Sequence, residues 1–87
     1  MREVRKSARE RGYTTEWDKA RELWLAEHPL CAECERAGIL HPHMEQGKSH
    51  HVDHIVPHRG DMDRFWDQEN WQTLCVRHHN EKTAGGE

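Results

Sequence analysis

The side chains with the most chemical capacity in this chain fall between His51 and Thr83. Asp53 and His54 stand side by side at the start of that stretch, Asn70 sits in its middle, and His79 comes near its end. A carboxylate and an imidazole bind divalent cations, and an imidazole also moves protons near neutral pH because it titrates at about 6.5. A second set is more sharply spaced. Cys31 and Cys34 form a C-x2-C pair, and after a long gap Cys75 and His78 form C-x2-H. Three thiolates and one imidazole suit a tetrahedral zinc ion, and four protein ligands leave no open position, so this site is expected to be structural. The bland alternative is buried cysteines beside an unrelated surface histidine, but every cysteine of the chain falls at ligand spacing.

Composition says why a metal is needed. In 87 residues, 33% hydrophobic side chains face 33% charged ones, and the mean hydropathy is -1.19. A core that small and that sparse in apolar groups calls for a staple. Three cysteines cannot pair completely as disulfides, and no apolar signal segment follows the charged start Met1-Arg2-Glu3-Val4-Arg5-Lys6, so a reducing, cytoplasmic setting is expected. No apolar run approaches membrane-spanning length. A net charge of -3 excludes a generally basic nucleic-acid binder, so any such affinity must be local. Residues 1–12 supply a candidate: Arg2, Arg5, Lys6, Arg9 and Arg11 outweigh Glu3 and Glu10. They read either as a phosphate-contacting arm or as a solvated terminus. Residues 84–87 have the composition of a frayed tail.

The elements that must position these groups follow from pattern. Thr14 or Thr15 caps a helix running from Glu16 to Glu27, stopped by His28-Pro29, with Trp17, Ala20 and Trp24 as its packing stripe and Leu23 widening it. Gly38 ends a short helical turn after the first cysteine pair. The stretch 41–48 reads as a loop, with His41 and His43 exposed. Residues 49–56 read as a strand ended by Pro57, residues 61–66 as a helical turn, 70–74 as a second strand and 75–83 as a short helix. On a regular strand Asp53 and His54 point to opposite faces, so both reach one cleft only if the strand ends or bulges there. On the last helix, His78 and His79 point ~100° apart, which lets one helix serve two sites.

Val52-Asp53-His54-Ile55-Val56-Pro57-His58, Phe65-Trp66-Asp67, Asn70, and Cys75-Val76-Arg77-His78-His79-Asn80-Glu81-Lys82-Thr83 resemble the HNH endonuclease family, and the helix and first cysteine pair resemble those of small phage-type members. The likeness spans about residues 12–83. It implies a small α+β fold: a ββα-metal core with an N-terminal helix, stapled by a structural zinc, with residues 13–83 as the domain between the arm and the tail. It implies a metal-dependent endonuclease or nickase acting on DNA, leaving 5′-phosphate and 3′-hydroxyl ends. Hydrolysis of a phosphodiester needs a base for water and a cation for the charge that builds on phosphorus and the leaving oxygen. His54 is then the base, and Asp53 and His79 hold the catalytic ion, which is Mg2+, Mn2+, Ni2+ or Zn2+. By the same resemblance Asn70 steadies the loop that carries the base. The family's second pair is commonly C-x2-C, so His78 is a departure. His50, His51 and His58 crowd the centre and read as exposed or hydrogen-bonded, with ligation as the other option. Lys82 and Arg77, with Arg5, Lys6 and Arg9, are candidate DNA contacts. A monomer is expected, and the phage likeness suggests a terminase or portal partner linked to DNA packaging. The rival reading is a non-catalytic zinc-binding module for DNA or protein.

Overall fold

Thr14 starts the longest helix of the computed structural model, which describes residues 12–84. Its backbone is extended and its hydroxyl accepts a hydrogen bond from the Trp17 amide, while Glu16 and Asp18 sit in the first turn, where carboxylates suit the helix dipole. Helix α1 runs Thr15–Glu27. The expected stripe of Trp17, Ala20 and Trp24 packs against the aromatic core, but Leu23 does not widen it. Trp17 and Leu25 are buried, whereas Leu23 is 67% exposed, so the face that packs follows i, i+7 and i+8 and not the Leu23 side. The reason lies in what α1 packs on: the Trp24 indole N–H donates to the Thr73 hydroxyl, which donates in turn to the His28 carbonyl, and this chain sets the helix rotation.

Helix α2, Ala32–Arg36, carries Cys34 and is bounded by Gly38 in the left-handed region. Strand β1, His51–His54, then pairs antiparallel with strand β2, Trp71–Leu74, His51 opposite Leu74 and His54 opposite Trp71. The connection between them holds helix α3, Met62–Trp66, capped by the Asp61 carboxylate, and a 3-10 turn at Gln68–Asn70. Helix α4, Val76–Ala84, follows β2 directly and packs on both strands.

Strand β1 is shorter than the 49–56 read from the pattern. Pairing does not stop at His54, but changes partner: the Ile55 amide bonds to the Asn70 carbonyl, and the Asn70 side chain takes both backbone groups of Val56. Alternation then sorts the strand cleanly. Val52 and His54 face α1 and α3, where Trp17, Phe65 and Trp71 form an aromatic core. His51 and Asp53 face α4. The tryptophans meet edge to face, Trp17 on Trp71 at 5.1 Å and 89°, the arrangement ring quadrupoles favour.

His41 and His43 are not the exposed loop residues expected. Both are half-buried against His50, whose backbone N–H donates to the His43 Nδ1 at 3.0 Å and whose Nε2 bonds to the His41 carbonyl at 2.7 Å. His50 itself is 1% exposed, so its polar groups need those partners. The basic arm, including Arg5, Lys6 and Arg9, lies outside the described residues.

Candidate active site

Four donor atoms meet between α2, the end of β2 and α4. The Cys31, Cys34 and Cys75 sulfurs and a His78 ring nitrogen all lie within 4.8 Å of one another. His78 Nδ1 is 3.5, 3.5 and 3.3 Å from the three sulfurs in turn, and Cys34 and Cys75 are 4.0 Å apart. A tetrahedral ion with zinc-like bond lengths needs edges of about 3.5 Å from sulfur to nitrogen and about 3.8 Å between sulfurs. The donor set therefore fits a metal ion in both chemistry and size.

Its electrostatics call for a cation as well. Burial and the neighbouring Cys31 and Cys75 sulfurs push the Cys34 thiol up to about 12. Burial opposes a charged Cys31 too, yet the backbone N–H groups of Cys34 and Cys75, with His78 and the Cys34 thiol, hold it below the usual range. A lone thiolate is thus supported at Cys31, and a full set only against a positive ion. The His41 ring adds a neighbour that the spacing did not reveal, its Nδ1 3.6 Å from the Cys34 sulfur.

The second constellation gathers around the end of β1. His54 is 8% exposed, stacked on Trp17 with centroids 5.4 Å apart and planes at 19°. Its Nε2 is 2.9 Å from the Phe65 carbonyl oxygen. A carbonyl only accepts, so Nε2 carries the proton and donates it, and the lone pair of a neutral ring is left on Nδ1. No described residue hydrogen-bonds to that nitrogen. The same carbonyl also accepts the Trp71 indole N–H at 2.8 Å, so it is itself held in place. This partner was invisible in the sequence because a backbone oxygen has no residue signature.

Asn70 clamps the segment that follows the histidine. Its side-chain oxygen accepts the Val56 N–H and its amide nitrogen donates to the Val56 carbonyl, both at 2.9 Å. Asp53, on the other face, accepts from the Gln72 amide at 2.9 Å and from the Lys82 ammonium at 2.6 Å, both on Oδ2. Lys82, a DNA-contact candidate by sequence, is turned inward. Its ammonium also reaches the His54 carbonyl at 2.6 Å and the Ile55 carbonyl at 3.1 Å, so its three donors are spent within the chain. The signal for this was present: Lys82 follows His79 by three residues and shares its helix face. Arg77 is exposed and pairs with Glu81 at 3.2 Å.

His78 and His79 part as adjacent helix residues must. His78 turns to the cysteines, and His79 turns to β1, its ring flat on His51 at 4.3 Å. The His58 ring stands 5.0 Å from that of His54, and Tyr13 meets His58 through its hydroxyl at 3.2 Å.

A two-stranded hairpin with one helix packed on it, His54 on one face of β1 and Asp53 and His79 on the other, and a metal-sized Cys3His cluster beside them have the arrangement of a ββα-metal nuclease. The family model described as HNH endonuclease matches residues 30–85. Among solved structures, the HNH endonuclease of the deep-sea thermophilic bacteriophage GVE2, crystallised with a manganese ion, is similar at a TM-score of 0.66 and 33% identity, covering 90% of this chain and 79% of that one. Comparison with curated protein sequences gives no significant match. The chain belongs to the HNH endonuclease family and is a DNA endonuclease, which decides between enzyme and non-catalytic binding module. No helix among the described residues is long and apolar enough to cross a membrane.

Proposed function

We propose that this endonuclease hydrolyses DNA phosphodiester bonds with His54 as the general base, Asp53 and His79 as ligands of one catalytic divalent ion, and zinc in the Cys31, Cys34, Cys75 and His78 site. The observation that carries the reading is the Nε2–H of His54 bound to the Phe65 carbonyl at 2.9 Å. It fixes the tautomer whose free nitrogen, Nδ1, takes a proton from water. Taking that proton leaves an imidazolium, and the carbonyl behind it then accepts a charge-assisted hydrogen bond, which favours the protonated form as it develops. Trp17 and Phe65 keep the ring from rotating and keep bulk water from its rear face. Asn70 holds the loop by both backbone groups of Val56, so the base and the strand end move as one piece. The ion, when bound, neutralises charge on the scissile phosphate and on the departing 3′ oxygen. The products are 5′-phosphate and 3′-hydroxyl ends.

Support for zinc comes from the donor set and the edge lengths of the cluster. The same reading takes residues 13–83 as a monomeric nuclease domain, with the segment 1–12 and Arg77 as phosphate contacts that give affinity without sequence choice. The likeness to a bacteriophage enzyme supports a place in the host cytoplasm beside DNA packaging, with terminase or portal protein as partner. The central test is cleavage of supercoiled plasmid by wild type and His54→Ala, with EDTA and with added Mg2+, Mn2+, Ni2+ or Zn2+. Metal-dependent nicking or linearisation lost in a folded, zinc-loaded variant is expected. Full activity in that variant assigns the base to another group.

A further inference from the structure

His41 takes no part in the nuclease reading, yet its place beside the cysteines is firmly set. Its carbonyl accepts both the Cys31 N–H at 3.2 Å and the His50 Nε2–H at 2.7 Å, and the adjoining Leu30 and Pro42 pair as an antiparallel bridge. The His50 ring meets the His41 ring edge to face, with centroids 4.7 Å apart and planes at 87°. Backbone and ring together bring the His41 Nδ1 to 3.6 Å from the Cys34 sulfur. Among the described residues that sulfur is the ring's hydrogen-bond partner, since the Glu45 carboxylate, 3.8 Å from Nε2, lies beyond hydrogen-bond reach.

We propose that His41 donates its Nδ1–H to the Cys34 sulfur and thereby sets how firmly the Cys3His site keeps its zinc; the inference rests on the zinc site proposed above. A cysteine that ligates a metal is a thiolate, with lone pairs to spare and no proton. The hydrogen between Nδ1 and the sulfur must then belong to the ring. Three thiolates and a neutral imidazole around Zn2+ leave one negative charge in excess, among cysteines that are all buried. An N–H aimed at that charge makes a charge-assisted hydrogen bond and draws charge off the sulfur. The full strength of the bond lasts only while the metal holds Cys34 as a thiolate, so it opposes release. Groups that hydrogen-bond to metal ligands typically contribute roughly 10–100-fold to metal affinity.

The alternative task is purely mechanical, with the His41 ring only filling space beside His50. Two substitutions separate the readings: His41→Phe keeps a flat ring and removes both nitrogens, and His41→Asn returns an N–H close to the position of Nδ1. Each protein is loaded with zinc, its zinc content and melting temperature are measured, and release of the metal to excess EDTA is followed. Release from His41→Phe is expected to be about tenfold faster than from wild type or more, and release from His41→Asn close to wild type. Nitrogen NMR of the zinc-loaded wild type reads the ring without any substitution, and a proton on the His41 Nδ1 is expected. Wild-type release from a folded His41→Phe, release from His41→Asn as fast as from His41→Phe, or a bare Nδ1 overturns the assignment of His41 while leaving the zinc site standing. A wild type that holds no zinc overturns the zinc site and the inference with it.

Discussion

Replacing Lys82 with methionine removes the ammonium that ties α4 to the end of β1 and keeps most of the side chain's length. Lys82 and Asp53 side chains are 22% and 14% exposed, so their 2.6 Å pair is neither a surface bridge nor a sealed one. Removing one partner of a buried pair costs about 3–5 kcal/mol, and an exposed pair contributes about 0–1 kcal/mol. Here Gln72 still donates to the Asp53 carboxylate, and the His54 and Ile55 carbonyls regain access to water. The expected loss is therefore about 2–3 kcal/mol, between those limits. In a domain of this size that lowers the melting temperature by about 10–20 °C. The assay is thermal unfolding of zinc-loaded protein by circular dichroism, without other divalent ions. Adding Asp53→Asn to Lys82→Met should recover part of the loss, because the stranded charge goes with it. Mn2+ should raise the melting temperature of Lys82→Met more than that of wild type, since a bound cation then compensates the carboxylate in place of the ammonium. A shift below about 3 °C would refute the argument, for it would place the pair among surface bridges.

The cysteine cluster makes a sharper demand on folding. Cys75→Ser should lose its metal and unfold rather than merely slow catalysis, because the Cys31, Cys34, Leu74 and Cys75 cluster forms half of the core; metal content and far-ultraviolet circular dichroism check this. His43 links stability to pH. Burial, with the fields of His50 and Arg21, lowers its titration below the ordinary value, and its Nδ1 must stay unprotonated to accept the His50 amide. A histidine lowered on folding contributes stability that is fully present above about pH 6.5 and is lost as pH falls through its lowered value. His43→Asn keeps an acceptor without titrating there, so its unfolding midpoint should fall less than that of wild type between pH 7.5 and 5.5. Equal slopes for the two proteins would remove His43 from the account.

Much of the site was legible because its ingredients are residue types at fixed spacing. C-x2-C and C-x2-H and the divergence of adjacent His78 and His79 carry their meaning in the sequence, since ligand chemistry and the ~100° step of a helix do not depend on the rest of the fold, whereas Asp53 and His54 side by side did not show that their side chains would part to opposite faces of β1. The long helix, the hairpin and the last helix were equally readable from capping, stops and alternation. Tertiary structure decided the matters that turn on packing. It buried Leu25 and left Leu23 exposed on α1, drew His41 and His43 in against His50, and turned Lys82 from solvent to Asp53. It also supplied the Phe65 carbonyl that sets the tautomer of His54. These outcomes hang on backbone oxygens and on the angle at which one element meets another. A residue string encodes both only through the fold as a whole.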